Sequence, residues 1–289
     1  MEKIEPIDEN VSVVYDACIM RMREERKNKF LGSREAVINF SQEYEQYAKD
    51  NTIHTLTSRN NLEAFNNNEF EKVYTDGLFS VTGRIYYDKI IAGAKDGFCS
   101  YCSQQVATTL DHYLPKSSYK LLAVTPSNLV PCCKDCNHNK SDNIPSSEQD
   151  VCLNPYFDNI DAINEMCWLK GMLQHECVNV LCITFIVDDL DDTVLKIRLE
   201  KFLDRLCLNY LYSVNAAKEL NILEKKHLTK IKSLGYDIAK NVILESLDED
   251  IMFIGNKSSW KAATYRALRD DSWYINEYLL RKSQENNNV

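Results

Sequence analysis

Along most of the 289-residue chain, apolar residues recur at three- and four-residue steps, and only a few short stretches alternate instead. The helical rhythm appears first at Val11–Met22. It returns from Ser33, the expected N-cap, through Val37, Ile38, Phe40, Tyr44 and Tyr47, and again from Phe79 to Lys95, where Asp96-Gly97 stops it. Val106, Thr108, Thr109 and Leu110 suit a strand over Gln105–Asp111. Asn128–Pro131 reads as its partner, a short helix follows from Cys136, and a loop through Tyr119–Thr125 joins the strands. Cys177–Val187 alternates and is rich in β-branched residues, so it should form a hairpin with Trp168–Leu173. From Thr193 to Leu247 the period is helical again, with Leu195, Leu199, Phe202, Leu206 and Tyr210 on one stripe and further helices over Ile222–Leu234 and Ile238–Leu247. Trp273–Leu280 continues the helical run, and Ser283–Val289 reads as a disordered tail. The opening residues read as an extended arm and Asn60–Asn68 as a loop. The pattern implies an α+β chain, mostly α. A small ββα core over 97–150 would be flanked by an N-terminal helical region, 1–96, and a mainly helical C-terminal region, 151–289.

Composition narrows the chemistry. A net charge of −9 and a pI near 5.2 are unfavourable for holding a polyanion over the whole surface. Any basic surface must therefore be local or come from a partner. Two places qualify. Arg21–Lys29 is a basic run, read as a solvated helix end ahead of a nucleic-acid contact; Trp260, Lys261, Tyr265, Arg266 and Arg269 interleave rings and cations on one helix, read as packing inward ahead of gripping a nucleic acid. Eleven cysteines without a signal peptide favour a reducing, cytoplasmic setting, in which those outside the central cluster, including Cys18, Cys167 and Cys207, would be buried thiols. No apolar run is long enough to span a membrane, and there is neither an internal repeat nor a P-loop.

The central stretch carries the densest chemistry. Two Cys-x-x-Cys turns, Cys99/Cys102 and Cys133/Cys136, offer four thiolates in the arrangement a structural zinc ion takes. Cys132 competes with Cys133, but the two-residue spacer to Cys136 favours Cys133. The gap between the pairs exceeds the usual zinc-ribbon spacing, so it must hold a structural unit of its own. Inside it lie Asp111-His112 and Pro115-Lys116, and Asn137-His138-Asn139-Lys140 follows the last cysteine. Neighbours on a strand face opposite sides, so His112 could serve a reacting water while Asp111 serves a hard cation such as Mg²⁺. Asn137 adds an amide oxygen, with His138 as its competitor, and Lys116 and Lys140 are candidate contacts to a substrate phosphate.

These residues resemble the HNH endonucleases, the ββα-metal nucleases, in their zinc-stapled form. The likeness rests on Asp111-His112-Tyr-Leu-Pro115, Asn128-Leu129 and Cys133-Lys-Asp-Cys136-Asn137-His-Asn-Lys140, in that order. It departs before Asn128, where many relatives have Gly-Gly and this chain has Ala-Val-Thr-Pro126-Ser. The resemblance implies hydrolysis of phosphodiester bonds, with DNA the expected substrate. His112 would be the general base, Asp111 and Asn137 the ligands of one Mg²⁺ or Mn²⁺, and Asn128 the residue that keeps His112 oriented. The form is also similar to HNH proteins of bacterial anti-phage and mobile-element systems, which implies an antiviral role and a partner protein such as an ATPase or sensor subunit. The alternative is a zinc-ribbon module that binds nucleic acid, or serves in assembly, without turnover.

Overall fold

The computed structural model describes residues 1–58, 65, 69–177 and 180–287, and the chain divides into two compact units, Met1–Ile160 and Asp161–Val289. The expected borders at 96 and 150 both fall inside the first unit. The expected loop at Asn60–Asn68 lies, apart from Phe65, outside the described residues.

In the first unit the opening arm is extended and pairs with the centre of the fold, Glu2 N donating to Ser100 O and Ile4 N to Pro155 O. Helix α1 (Val11–Ile19) starts at Asn10, whose side chain accepts from Ser12 N at 3.0 Å. Helix α2 (Glu24–Leu31) carries most of the basic run, and α3 (Arg34–Lys49) buries Val37, Phe40 and Tyr44 of the expected stripe together with Ser41 and Ala48, while Ile38 and Tyr47 are only half-buried. Ser33 precedes α3 as expected, but its backbone is already helical and its hydroxyl makes no capping bond. The helix expected over Phe79–Lys95 is shorter. A π-helical turn (Val73–Leu78) comes first, the chain then doubles back, and α4 covers only Arg84–Ala92. The reversal depends on Gly83, where a Cβ would lie 2.2 Å from the carbonyl oxygen of Gly77.

At the centre, β1 (Thr109–His112) pairs antiparallel with β2 (Leu129–Cys132), with Asp111 opposite Val130 and His112 opposite Leu129. The first strand is shorter than Gln105–Asp111 because Gln105 and Val106 close the cysteine turn instead: Cys99 N donates to Gln105 O, and Phe98 bridges Val106. Helix α5 (Lys134–Lys140) begins two residues earlier than expected. Cys133 caps it, the sulfur accepting from Cys136 N at 3.4 Å. The β1–β2 connection lies against α3, where Ser41 and Thr125 hydroxyls meet at 2.6 Å and Tyr44 donates to Ser127 O. The aromatics of Asn154–Asp158 pack on the same unit, Tyr156 donating to Leu129 O and Phe157 meeting Tyr44 edge-on.

Helix α6 (Ile160–Glu165) begins at the division between the units. In the second unit the expected hairpin forms from β3 (Leu169–Leu173) and β4 (Ile183–Val187), while Val178 falls outside the described residues. Trp168 is buried in this unit, its amide donating to the Ser258 hydroxyl. The hairpin is covered by α8 (Leu208–Leu234), which follows α7 (Thr193–Arg205), and by α10 (Trp260–Asp270), with α9 (Tyr236–Phe253) between them in sequence. Helix α10 approaches so closely that a Cβ on Gly171 would sit 2.9 Å from Ala263 O. A π-helical turn (Tyr274–Leu279) then leads into α11 (Leu280–Asn287), so the tail expected to be disordered is helical through Asn287.

Of two further readings, inward packing of α10 is the one that forms, and the burial of the outlying cysteines is corrected. The cations of α10 are not free: Lys261 pairs with Glu219, Arg266 donates to Lys257 O and Leu169 O, and Arg269 pairs with Asp248 and Asp270. Tyr265 is buried on Glu219, so the helix packs inward. Outside the cluster Cys18 and Cys132 are buried, but Cys167 is only half-buried and Cys207 is exposed. Both occupy left-handed breaks in the chain, which turn them out of a regular stripe. No helix among the described residues is long and apolar enough to cross a membrane.

Candidate active site

Cys99, Cys102, Cys133 and Cys136 are all buried, and their sulfurs lie within 4.8 Å of one another, with Cys102 and Cys133 4.0 Å apart. A tetrahedral zinc site with bonds of about 2.3 Å needs sulfur–sulfur edges of roughly 3.8 Å, so the donor set and its spacing fit zinc. Burial acts against ionisation at each of the four thiols, which share their protons among neighbouring sulfurs. Four like ligands in one buried pocket favour a cation that replaces those protons. Cys132, the competitor, is buried, and its thiol is pushed above the ordinary range by burial, with the nearby Asp111 adding to the shift.

The cluster pins both ends of the β1–β2 hairpin, and His112 sits at the end of β1. Its ring is half-buried, with Nε2 2.9 Å from Ala123 O. A carbonyl only accepts, so Nε2 carries the proton and Nδ1 keeps its lone pair. Burial lowers the imidazole to about 4; the Lys116 and Lys140 charges add to that shift, and the Ala123 hydrogen bond and Asp111 oppose it. At neutral pH the ring is therefore an unprotonated base of fixed tautomer. The Tyr74 ring lies edge-on at 4.4 Å, and the Lys116 ammonium stands 5.8 Å above the Tyr74 face.

Asn128 is fully buried and has three bonds. Its Oδ1 accepts from Leu114 N at 2.8 Å, while Nδ2 donates to Leu114 O and to Leu122 O. It thus ties the residues after β1 to the segment that presents Ala123 O to His112.

Asp111 faces the other side of β1. It is 4% exposed; Oδ2 accepts from Tyr101 Oη at 2.7 Å and pairs with Lys140 Nζ at 2.9 Å. Burial holds the Tyr101 phenol well above its ordinary range, so it keeps the proton that it donates. Lys140 is itself 2% exposed and also donates to His112 O and Tyr113 O, both at 3.0 Å. Its expected place at a substrate phosphate is therefore corrected: the ammonium is an internal clamp between α5 and β1, because Asp111 and two carbonyls satisfy all three of its donors. Lys116 lies at the edge of the site beside Tyr74 and His112. Asn137 Nδ2 donates to Thr109 Oγ1 at 3.3 Å, leaving Oδ1 as an acceptor, while His138 points to solvent. Among the described residues no hydrogen bond joins the His112 ring to Asp111 or Asn137. Tyr74, Tyr101 and the Ala123 carbonyl escape a reading of the sequence because each lies ten or more positions from its partner.

Residues 99–143 match the family model described as HNH endonuclease, and the chain carries an HNH endonuclease domain there. Two curated proteins are similar to this region. Protein ea31 of Escherichia phage lambda is 34% identical over 95 residues, which cover 31% of this chain and 31% of that protein. Septu protein PtuB of Bacillus thuringiensis is 31% identical over 84 residues, covering 27% of this chain and 32% of that protein. The chain thus spans about a third of the length of the curated relatives it matches. No solved structure matches it.

Proposed function

We propose that this protein is a metal-dependent endonuclease that hydrolyses phosphodiester bonds, with DNA the expected substrate. The observation that carries the reading is His112, whose Nε2–H is fixed on Ala123 O so that Nδ1 is free to take a proton from water. Asn128 holds the Leu122–Ala123 segment and so positions His112 rather than touching substrate. The Asp111 carboxylate and the Asn137 amide oxygen are hard donors that suit Mg²⁺ or Mn²⁺. Such an ion, when bound, polarises the scissile phosphate and stabilises the departing oxygen. The four cysteines hold a structural zinc. Lys116, at the edge of the site, is the cation available to a substrate phosphate.

A zinc module without turnover has one observation in its favour: Lys140 already neutralises Asp111, so a divalent ion there competes with an ammonium. One experiment separates the two readings. Supercoiled plasmid and single-stranded circles are incubated with the zinc-loaded protein and Mg²⁺ or Mn²⁺. Cleavage is expected, with His112→Ala slower by about 10²–10⁴-fold at unchanged zinc content. A wild-type protein without cleavage rejects the nuclease reading, and a His112→Ala variant at full rate rejects His112 as the base. The likeness to a phage protein and to a bacterial Septu protein, with the net charge of −9, supports action beside a partner protein in an anti-phage or mobile-element setting.

A further inference from the structure

The surface beside His112 is aromatic, and this belongs to no part of the family motif. Tyr74 meets the imidazole, Phe79 meets Tyr74 edge-on at 5.7 Å, and Tyr87 follows at 4.9 Å from Phe79. Phe79 is 47% exposed, with Val81 and Ile85 also exposed nearby in sequence. A half-exposed phenyl ring two rings from a catalytic base is costly in water unless something covers it. Lys116 stands over Tyr74 and has no acidic partner among the described residues.

The segment that carries Tyr74 and Phe79 also builds the wall of a second feature. Asp76 and Ser80 line a cleft of about 680 Å³ together with Arg21, Arg23, Arg26 and Lys29. Asp76 pairs with Arg26 and Glu69 with Lys29, which leaves Glu25 as the lining acid outside these pairs. Arg21 and Arg23 are exposed and have no acidic partner among the described residues, and Arg26 Nη2 is buried without an acceptor. In a chain of net charge −9, the guanidinium groups of Arg21 and Arg23, without an acidic partner among the described residues, mark a place for phosphate.

Rings beside cations are the combination that binds unpaired strands, because every base offers a face to stack and every nucleotide a charge to neutralise. A base inside a duplex keeps both faces on its neighbours and cannot use Phe79. We propose that Phe79, supported by Tyr74, stacks an unpaired nucleobase beside the scissile phosphate, and that the Arg21–Lys29 cleft carries the backbone leading from it. The substrate would then be a single-stranded or locally unpaired polynucleotide. This rests on the nuclease reading above and specifies its substrate.

The test is fluorescence anisotropy with the zinc-loaded full chain and no added Mg²⁺ or Mn²⁺. A labelled 15-mer single strand is compared with the same sequence as a duplex. The single strand should bind at least about tenfold tighter at equal salt, and Phe79→Ala should weaken it by roughly 5- to 100-fold, the range for losing one stacked base. Phe79→Trp should restore binding, and its emission should be quenched by the oligonucleotide. The double variant Arg21→Ala/Arg23→Ala should lower the salt slope by about 1.4, at roughly 0.7 per phosphate contact. Melting temperature and zinc content report on folding, and the tryptophan variant carries the test if the alanine variant unfolds. Unchanged affinity in Phe79→Ala, an unquenched Phe79→Trp, or equal binding of duplex and single strand overturns the proposal. Tight, Phe79-dependent binding without any cleavage would leave the subsite standing and remove only the nuclease reading.

Discussion

Replacing Lys140 by methionine keeps most of the length of the side chain and removes its charge from a closed part of the fold. The ammonium lies 2.9 Å from Asp111 Oδ2, and the two side chains are 2% and 5% exposed. An ion pair in water is worth about 0–1 kcal/mol. Stranding one partner of a buried pair costs about 3–5 kcal/mol, because the remaining charge has lost its counter-ion and cannot reach solvent. In the variant, Asp111 keeps only the Tyr101 hydroxyl, and the carbonyls of His112 and Tyr113 lose their donor. The burial selects the larger figure. At roughly 2–4 °C per kcal/mol for a unit of this size, the melting transition should fall by about 6–20 °C. Circular dichroism, with a zinc-sensitive chelator reporting on the first unit, measures it. Adding Asp111→Asn removes the stranded charge, so the double variant should be less destabilised than the sum of the singles by about 0.5–3 kcal/mol. A Lys140→Met melting point within about 2 °C of the wild type, or strictly additive singles, would show that the pair is solvated and the clamp incorrect.

Two other outcomes follow from the same structure. Cys99→Ser leaves three thiolates; zinc content measured by atomic absorption should fall, and the first unit should lose much of its cooperative unfolding, since structural zinc contributes on the order of 10 kcal/mol. His227 is fully buried, with Nδ1 on the Tyr274 hydroxyl at 2.8 Å and Nε2 without a partner among the described residues. Burial lowers it from 6.5 to about 4, with Lys230 and Lys226 adding to the shift. The folded state therefore favours the neutral ring. Its contribution is complete above pH 6.5 and is lost as pH falls from 6.5 through 4, by up to about 3 kcal/mol. Urea titrations across that window should show the decline, and His227→Phe should flatten it; an unchanged slope would mean that the ring protonates without opening the helices.

Much of the site could be read from order and spacing alone. The four-cysteine cluster was legible because a Cys-x-x-Cys turn closes over its own four residues, and α5 was legible because Cys133 caps it locally. The stripe on α3 and the β3–β4 alternation were legible for the same reason, since each period is a property of one element. The strand patterns at Gln105–Asp111 and Asn128–Pro131 and the helix after them implied a ββα unit, and the order of Asp111, His112, Asn128 and Asn137 carried the family resemblance. Tertiary structure alone decided which charges would be inside. Nothing near Lys140 distinguishes it from a surface lysine; Asp111 and two carbonyls from another element bury it. Nor does anything near Tyr74 announce that its ring will meet an imidazole thirty-eight positions later, because that contact depends on the reversal at Gly83 and the seating of the π-helical turn. Short-range hydrogen bonding and periodicity are written in neighbouring residues. Desolvation of a charge and the stacking of rings depend on every element that closes around them, and those exist only once the chain has folded.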